Sequence, residues 1–195
     1  SITPSYVIDK ATIIVSFGSD FLLSGSSSLR HAKAFSTRRD PLSSKGLNRL
    51  YSLETQFTLT GSMADHRSRL KASEIEDAVW VIARQVLQQG NFSIPGSIRA
   101  YIEKGAKQVN GVLDKAIINA ITSDLLANKG QTLLLAGDQQ SAAVHALLYF
   151  LNDLLGNTGT TVVYRNLPST HGDYESLETL TKRLQLDKVH TVFML

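Results

Sequence analysis

The stretch Thr132–Gly159, TLLLAGDQQSAAVHALLYFLNDLLGNTG, decides the fold. It opens on a short apolar run that stops at Gly137, the pattern of a strand buried on both faces. From Ser141 onward the apolar period changes. Val144, Leu147, Leu148, Leu151 and Leu155 recur at helical spacing and form one inward stripe. Ser141 suits the helix N-cap, and Gly156 suits the position after its end. A buried strand, a tight turn and an amphipathic helix make the repeating unit of a parallel α/β sheet.

The same unit recurs along the chain. Ala11–Phe17, ATIIVSF, reads as a second buried strand, closed by Gly18-Ser19-Asp20. Ser26–Arg39 reads as a short helix with Leu29, Ala32 and Phe35 or nearby residues turned inward, and Leu47–Glu54 as the next strand. Residues 57–72 read as loop with a short extended piece. A helix starts near Ser73, where Ser73 and Glu76 have capping-box spacing, and Ile75, Val79, Ile82 and Val86 share a face. Gln88–Lys107 carries Gly90, Pro95, Gly96 and Gly105 and is expected to be an insertion or hinge. A helix with Leu113, Ile117, Ala120 and Ile121 inward leads to Gly130. Beyond Gly156 come a strand at Thr160–Tyr164, a loop with Pro168, His171 and Gly172, a helix near Tyr174–Leu186 and a strand at Val189–Leu195. The whole predicts one Rossmann-like domain over 1–195: a doubly wound, mostly parallel sheet with helices on both faces.

Composition narrows the chemistry. The 195 residues are 43% hydrophobic and 19% charged, a composition that packs. The net charge of +3 is too small to argue for nucleic acid. The basic cluster Arg30, His31, Lys33, Arg38, Arg39, Lys45 and Arg49 lacks interleaved aromatics and reads as a solvated or docking face. With no cysteine, this segment offers no disulfide, thiolate nucleophile or iron–sulfur ligand. No apolar run approaches the roughly 20 residues of a membrane span, so no direct membrane insertion is expected. The five histidines show no metal-ligand spacing. The start at Ser1 and the finish on an apolar run suggest a piece of a longer protein.

In a doubly wound sheet, ligands lie beyond the carboxyl ends of the strands. Those ends are Gly18-Ser19-Asp20, Glu54-Thr55-Gln56, Gly137-Asp138-Gln139 and Arg165-Asn166. Glu54 could accept hydrogen bonds from ribose hydroxyls, or be a solvated carboxylate closing a strand. The amides of 137–141 could face a phosphate. Against this, Asp138 brings negative charge, and Ser141 as a helix cap explains the turn without a ligand.

The segments ATIIVSFGSDFL, RHAKAFSTRRD, NRLYSLETQFTLTGSMADHR and AGDQQSAAVHALLYFLNDLLGNTGTTVVY together resemble the molybdopterin oxidoreductase superfamily. The likeness is nearest to the large iron–sulfur, molybdopterin-oxidoreductase-like subunit of the quinol-oxidising alternative complex III. It extends over most of the chain, and TGSMADHR is a fairly specific part of it. Active members hold the guanine dinucleotide arm of a molybdenum cofactor at the strand tips of this domain. Carried onto this chain, the resemblance implies Gly18, Ser19, Asp20, Glu54, Thr58, Thr60, Asp65, Gly137 and Gln139 as cofactor-binding positions if the dinucleotide site is retained. The family's first tip has glycine, asparagine and proline, where this chain has Gly18-Ser19-Asp20. Its second tip has aspartate, proline and arginine, where this chain has Glu54-Thr55-Gln56.

The resemblance therefore implies a domain of an electron-transfer subunit, architectural and without molybdenum, on the periplasmic side of the membrane. Iron–sulfur clusters would lie elsewhere in the full chain. Partners would be other domains of that chain and subunits of a membrane-associated complex, and this segment alone would have no turnover. The alternatives are a molybdopterin guanine dinucleotide-binding domain of an active molybdenum oxidoreductase and a stand-alone nucleotide enzyme with a degenerate loop.

Overall fold

A computed structural model describes residues 2–42, 46–107, 109, 111–166, 176–186 and 191. The chain divides into a larger unit, Pro4–Arg165, and a smaller one made of Ser1–Thr3 with Asn166–Leu195. The expected loop at 168–172 and all of the expected strand Val189–Leu195 except Thr191 lie outside the described residues.

Four parallel strands form the centre of the larger unit: β2 (Ile13–Phe17), β3 (Arg49–Glu54), β4 (His66–Arg69) and β5 (Thr132–Ala136). Their order is β4-β3-β2-β5. The chain steps outward from β2 to β4 and then returns to the far side of β2. The winding direction therefore reverses between β2 and β5, as in a Rossmann half. A separate two-stranded sheet joins β1 (Ile2–Tyr6) to β6 (Val162–Asn166). The polar lead-in is thus a strand, and the strand expected at 160–164 pairs with it outside the four-stranded sheet.

Every residue of β2 and β5 is buried, as continuous apolar runs require when both faces are covered. Ile13, Val15, Phe17, Tyr51, Leu53, Leu134 and Ala136 meet α3 (Ala72–Gln89), α5 (Lys115–Ala127) and α6 (Ala142–Leu154) on one face. Ile14, Leu50, Leu133 and Leu135 meet Ile8, Phe21, Leu22, α1 (Ser28–Ser36) and Val162 on the other. The expected three-layer α/β/α architecture is present. All five residues of the α6 stripe are buried. The smaller unit contains α7 (Leu177–Gln185), capped by Ser176, whose Oγ accepts from Thr179 N at 3.1 Å.

Several local expectations change. The stretch 57–72 holds a one-turn helix, α2 (Leu59–Ser62), as well as β4. Glu74 caps α3 in place of the Ser73/Glu76 pair: its carboxylate accepts from Lys71 N at 2.9 Å, while Glu76 turns to Ser141. The segment 88–107 contains α4 (Gly96–Lys107), which buries Ile102 and Ala106 against α3, and the boundary between units falls at Asn166.

In α1 the inward pair is His31 and Phe35, and Leu29 is 87% exposed. The apolar count favoured Leu29, but the i,i+4 pair that meets Phe21 contains the histidine. His31 is 7% exposed, and the rings of Tyr6 and Phe21 flank its own, each with its centroid 6.2 Å away. Burial lowers the His31 pKa below its ordinary 6.5; a hydrogen bond with the Phe21 backbone partly opposes this, and the Arg30 charge adds to it. The unfolded chain then takes up its proton first as pH falls. Stability attached to neutral His31 is complete above 6.5 and is lost as pH drops from there through the folded value. His31→Phe is expected to flatten the fall in the urea midpoint between pH 7.5 and 5. An unchanged slope would mean that His31 protonates without cost.

Candidate functional site

The carboxyl ends of β2, β3 and β5 converge at the switch point. At β2 the chain turns on Gly18, whose φ of +66° suits glycine, and Gly18 N donates to Leu53 O at 2.7 Å. Ser16 Oγ donates to Ser19 O at 2.8 Å and tightens the turn. From β5, Gly137 N donates to Phe17 O at 3.1 Å. The two tips touch: a Cβ on Gly137 would lie 2.3 Å from Gly18 O. Gln139 lies across the gap and donates from Nε2 to Gly18 O at 2.6 Å. Its amide and that of Gln140 cover Gly18. The side-chain amides of Gln139 and Gln140 thus lie against the tip of β2.

Glu54 ends β3, but its side chain follows the strand's alternation. It points to the same face as Ser52 and turns beneath α2. It is 3% exposed. Its carboxylate accepts from Thr58 Oγ1 at 2.5 Å, Ser52 Oγ at 3.3 Å and Thr58 N at 3.4 Å, and it pairs with Arg67 Nε. The Arg67 guanidinium in turn lies 4.8 Å from the centroid of the Phe57 ring. Asp20 Oδ1 accepts from Thr60 N at 2.9 Å and from Thr60 Oγ1 at 2.8 Å. Thr58 Oγ1 accepts from Gly61 N at 3.0 Å. The Thr58, Thr60 and Gly61 amides at the start of α2 are therefore satisfied by Glu54, Asp20 and Thr58 in turn.

Gly18, Ser19, Asp20, Glu54, Thr58, Thr60, Gly137 and Gln139 do come together around the tips. Asp65 does not. It precedes β4 and accepts from Leu50 N at 2.7 Å, near the start of β3. Arg39 donates to both of its oxygens, at 2.8 and 2.7 Å. Burial alone would raise the Asp65 pKa, but the Arg39 and Leu50 hydrogen bonds hold it below the ordinary carboxylate value. At α6, Ser141 Oγ accepts from Val144 N at 3.3 Å and donates to Glu76 Oε2 at 2.9 Å, so the serine is a cap. Asp138 is exposed at the same turn.

Arg67 and Gln139 are the residues that reshape the site. Sequence patterning could not assign Arg67 to Glu54, because their pairing depends on β4 lying beside β3. Among the described residues, no three His, Asp or Glu side chains are grouped to hold a metal ion, and no helix is long and apolar enough to cross a membrane. The chain matches no protein-family model and no curated protein.

Proposed function

We propose that this chain is an architectural Rossmann-like domain of a molybdopterin-oxidoreductase-like, iron–sulfur electron-transfer subunit. In this reading its strand tips hold no pterin dinucleotide, and the subunit takes part in quinol oxidation on the periplasmic side of the membrane. The sequence resemblance supplies the family. The observation that carries the loss of the cofactor is the burial of Glu54. Glu54, the acid at the tip of β3 read as a candidate ribose partner, is buried with its oxygens held by Thr58, Ser52 and Arg67.

The rest of the tip is equally unsuited to the dinucleotide. A pyrophosphate needs open backbone amides and no nearby anion. Here Asp20 occupies the Thr60 amide, Asp138 adds an exposed carboxylate, and Gln139 bridges the two tips. The residues present do not fit the guanine dinucleotide arm, and no chemical step is assigned to it.

Two measurements test this. Metal analysis of the full-length protein is expected to find iron without stoichiometric molybdenum or tungsten. Calorimetric titration of this chain with guanosine diphosphate is expected to give no heat of binding. About one molybdenum or tungsten per chain, or saturable diphosphate binding weakened by Gln139→Ala, would restore the cofactor-binding alternative. Turnover of a nucleotide by this chain alone would favour a stand-alone enzyme.

A further inference from the structure

A cavity of about 350 Å³ opens between α3 and α4. On α3 it is lined by Glu76, Asp77 and Trp80, which share a helical face, and on α4 by Tyr101, Lys104 and Gly105. Gly105 allows α4 to press on the indole, since a Cβ there would lie 2.7 Å from the Trp80 ring. Trp80 is thereby fixed at 9% exposure, while Tyr101 stands out at 62%. The two rings meet edge to face, with centroids 5.4 Å apart and planes at 75°, and so form two walls nearly at right angles.

The carboxylates beside these walls differ in how they are held. Glu76 is oriented from both sides: Trp80 Nε1 reaches Oε1 at 3.4 Å and Ser141 Oγ donates to Oε2 at 2.9 Å. Asp77 makes no hydrogen bond or ion pair among the described residues. Lys104, the one cation of the lining, forms no ion pair there with either acid. Helix-dipole stabilisation explains acids near the start of α3. It does not explain an exposed tyrosine ring set square to a buried indole beside them. Aromatic faces with adjacent carboxylates attract a large, weakly hydrated cation, by ring quadrupole and by charge.

We propose that the α3–α4 cavity binds a small organic ammonium cation of the quaternary or alkylated amine class. The cation's methyl groups lie against Trp80 and Tyr101, and its charge faces Glu76 and Asp77. Lys104 at the rim opposes the cation and keeps binding weak.

Trp80 is the only tryptophan, so its fluorescence reports on the cavity. Titration of the chain with choline is expected to change that signal saturably, at roughly millimolar concentration. The uncharged isostere 3,3-dimethylbutan-1-ol is expected to do so at least about tenfold more weakly. Asp77→Asn, which breaks no hydrogen bond or ion pair among the described residues, is expected to weaken choline binding about fivefold, and Lys104→Met to tighten it by roughly twofold. Tyr101→Leu is expected to abolish saturation with thermal stability unchanged. No saturable response to choline, an equal response to the neutral isostere, or choline binding indifferent to both Asp77→Asn and Tyr101→Leu would overturn the proposal.

Discussion

Asn152→Leu is expected to destabilise the larger unit by about 3–5 kcal/mol, a large share of the stability of an ordinary domain. Among the described residues β5 has a strand partner on one side only, so the backbone groups on its far side need other partners. Side chains supply them. Asn152 accepts from Leu134 N at 3.1 Å through Oδ1 and donates to Leu134 O at 2.7 Å through Nδ2, as a neighbouring peptide would. One residue pair along, Asn157 Oδ1 accepts from Thr132 N at 3.2 Å and Thr161 Oγ1 donates to Thr132 O at 2.5 Å. Asn157 Nδ2 also donates to Asn152 Oδ1 at 3.0 Å, which ties the two amides together. Asn152, Asn157, Thr132 and Thr161 are all buried. Leucine fills the same space and leaves the Leu134 N–H and C=O unpaired out of reach of water. Asn152→Asp keeps an acceptor for Leu134 N but sets an oxygen against Leu134 O, and is expected to cost as much. Urea unfolding monitored by circular dichroism measures both. A loss below about 1 kcal/mol for Asn152→Leu would mean that water reaches this edge.

A Rossmann half commonly continues its sheet past the fourth strand. Among the described residues, the side chains of Asn152, Asn157 and Thr161 occupy the backbone groups of Leu134 and Thr132 on that side of β5. The other edge, β4, is four residues long and carries His66, Arg67 and Arg69, charges that discourage strand addition.

What the sequence could reveal followed from what is periodic. β2, β5 and α6 bury continuous or regularly spaced apolar residues, and those patterns survive without any knowledge of tertiary partners. The fold class and the clustering of the strand tips follow from them. Asn152 was harder to read: it lies at i+4 from Leu148, on the buried stripe, yet an asparagine among leucines reads as an interruption until the open edge of β5 is known. His31 misled for a related reason, because its burial depends on Phe21 and Tyr6 arriving from other segments. α2 is one turn long, too short for periodicity to appear. Its position decides the site all the same, because it covers Glu54 and gives Asp20 its partner.

The Glu54 cradle gives the second large effect, and its sign separates two explanations of Gly61. Gly61 has no positive φ that would demand glycine, so in an open helix Gly61→Ala would stabilise by up to about 1 kcal/mol. In this fold a Cβ at Gly61 would lie within 3 Å of three carboxylate atoms of Glu54. Thr58, Ser52 and Arg67 hold that carboxylate in place, so it cannot move aside freely. Gly61→Ala is expected to cost about 2–3 kcal/mol by overpacking. Arg67→Met is expected to cost a similar amount, about 3 kcal/mol, because Glu54 then stays buried without its counter-charge. Arg67 keeps 27% of its side chain exposed, which moderates the loss. The decisive measurement is the double-mutant cycle between Glu54→Ala and Gly61→Ala. With the carboxylate gone, the alanine at 61 has room, and its effect should become neutral or favourable. If Gly61→Ala costs the same in both backgrounds, Glu54 is not resident beneath α2. Its carboxylate would then be free to reach the crevice, and the case against a ribose ligand at this tip would lose its main support.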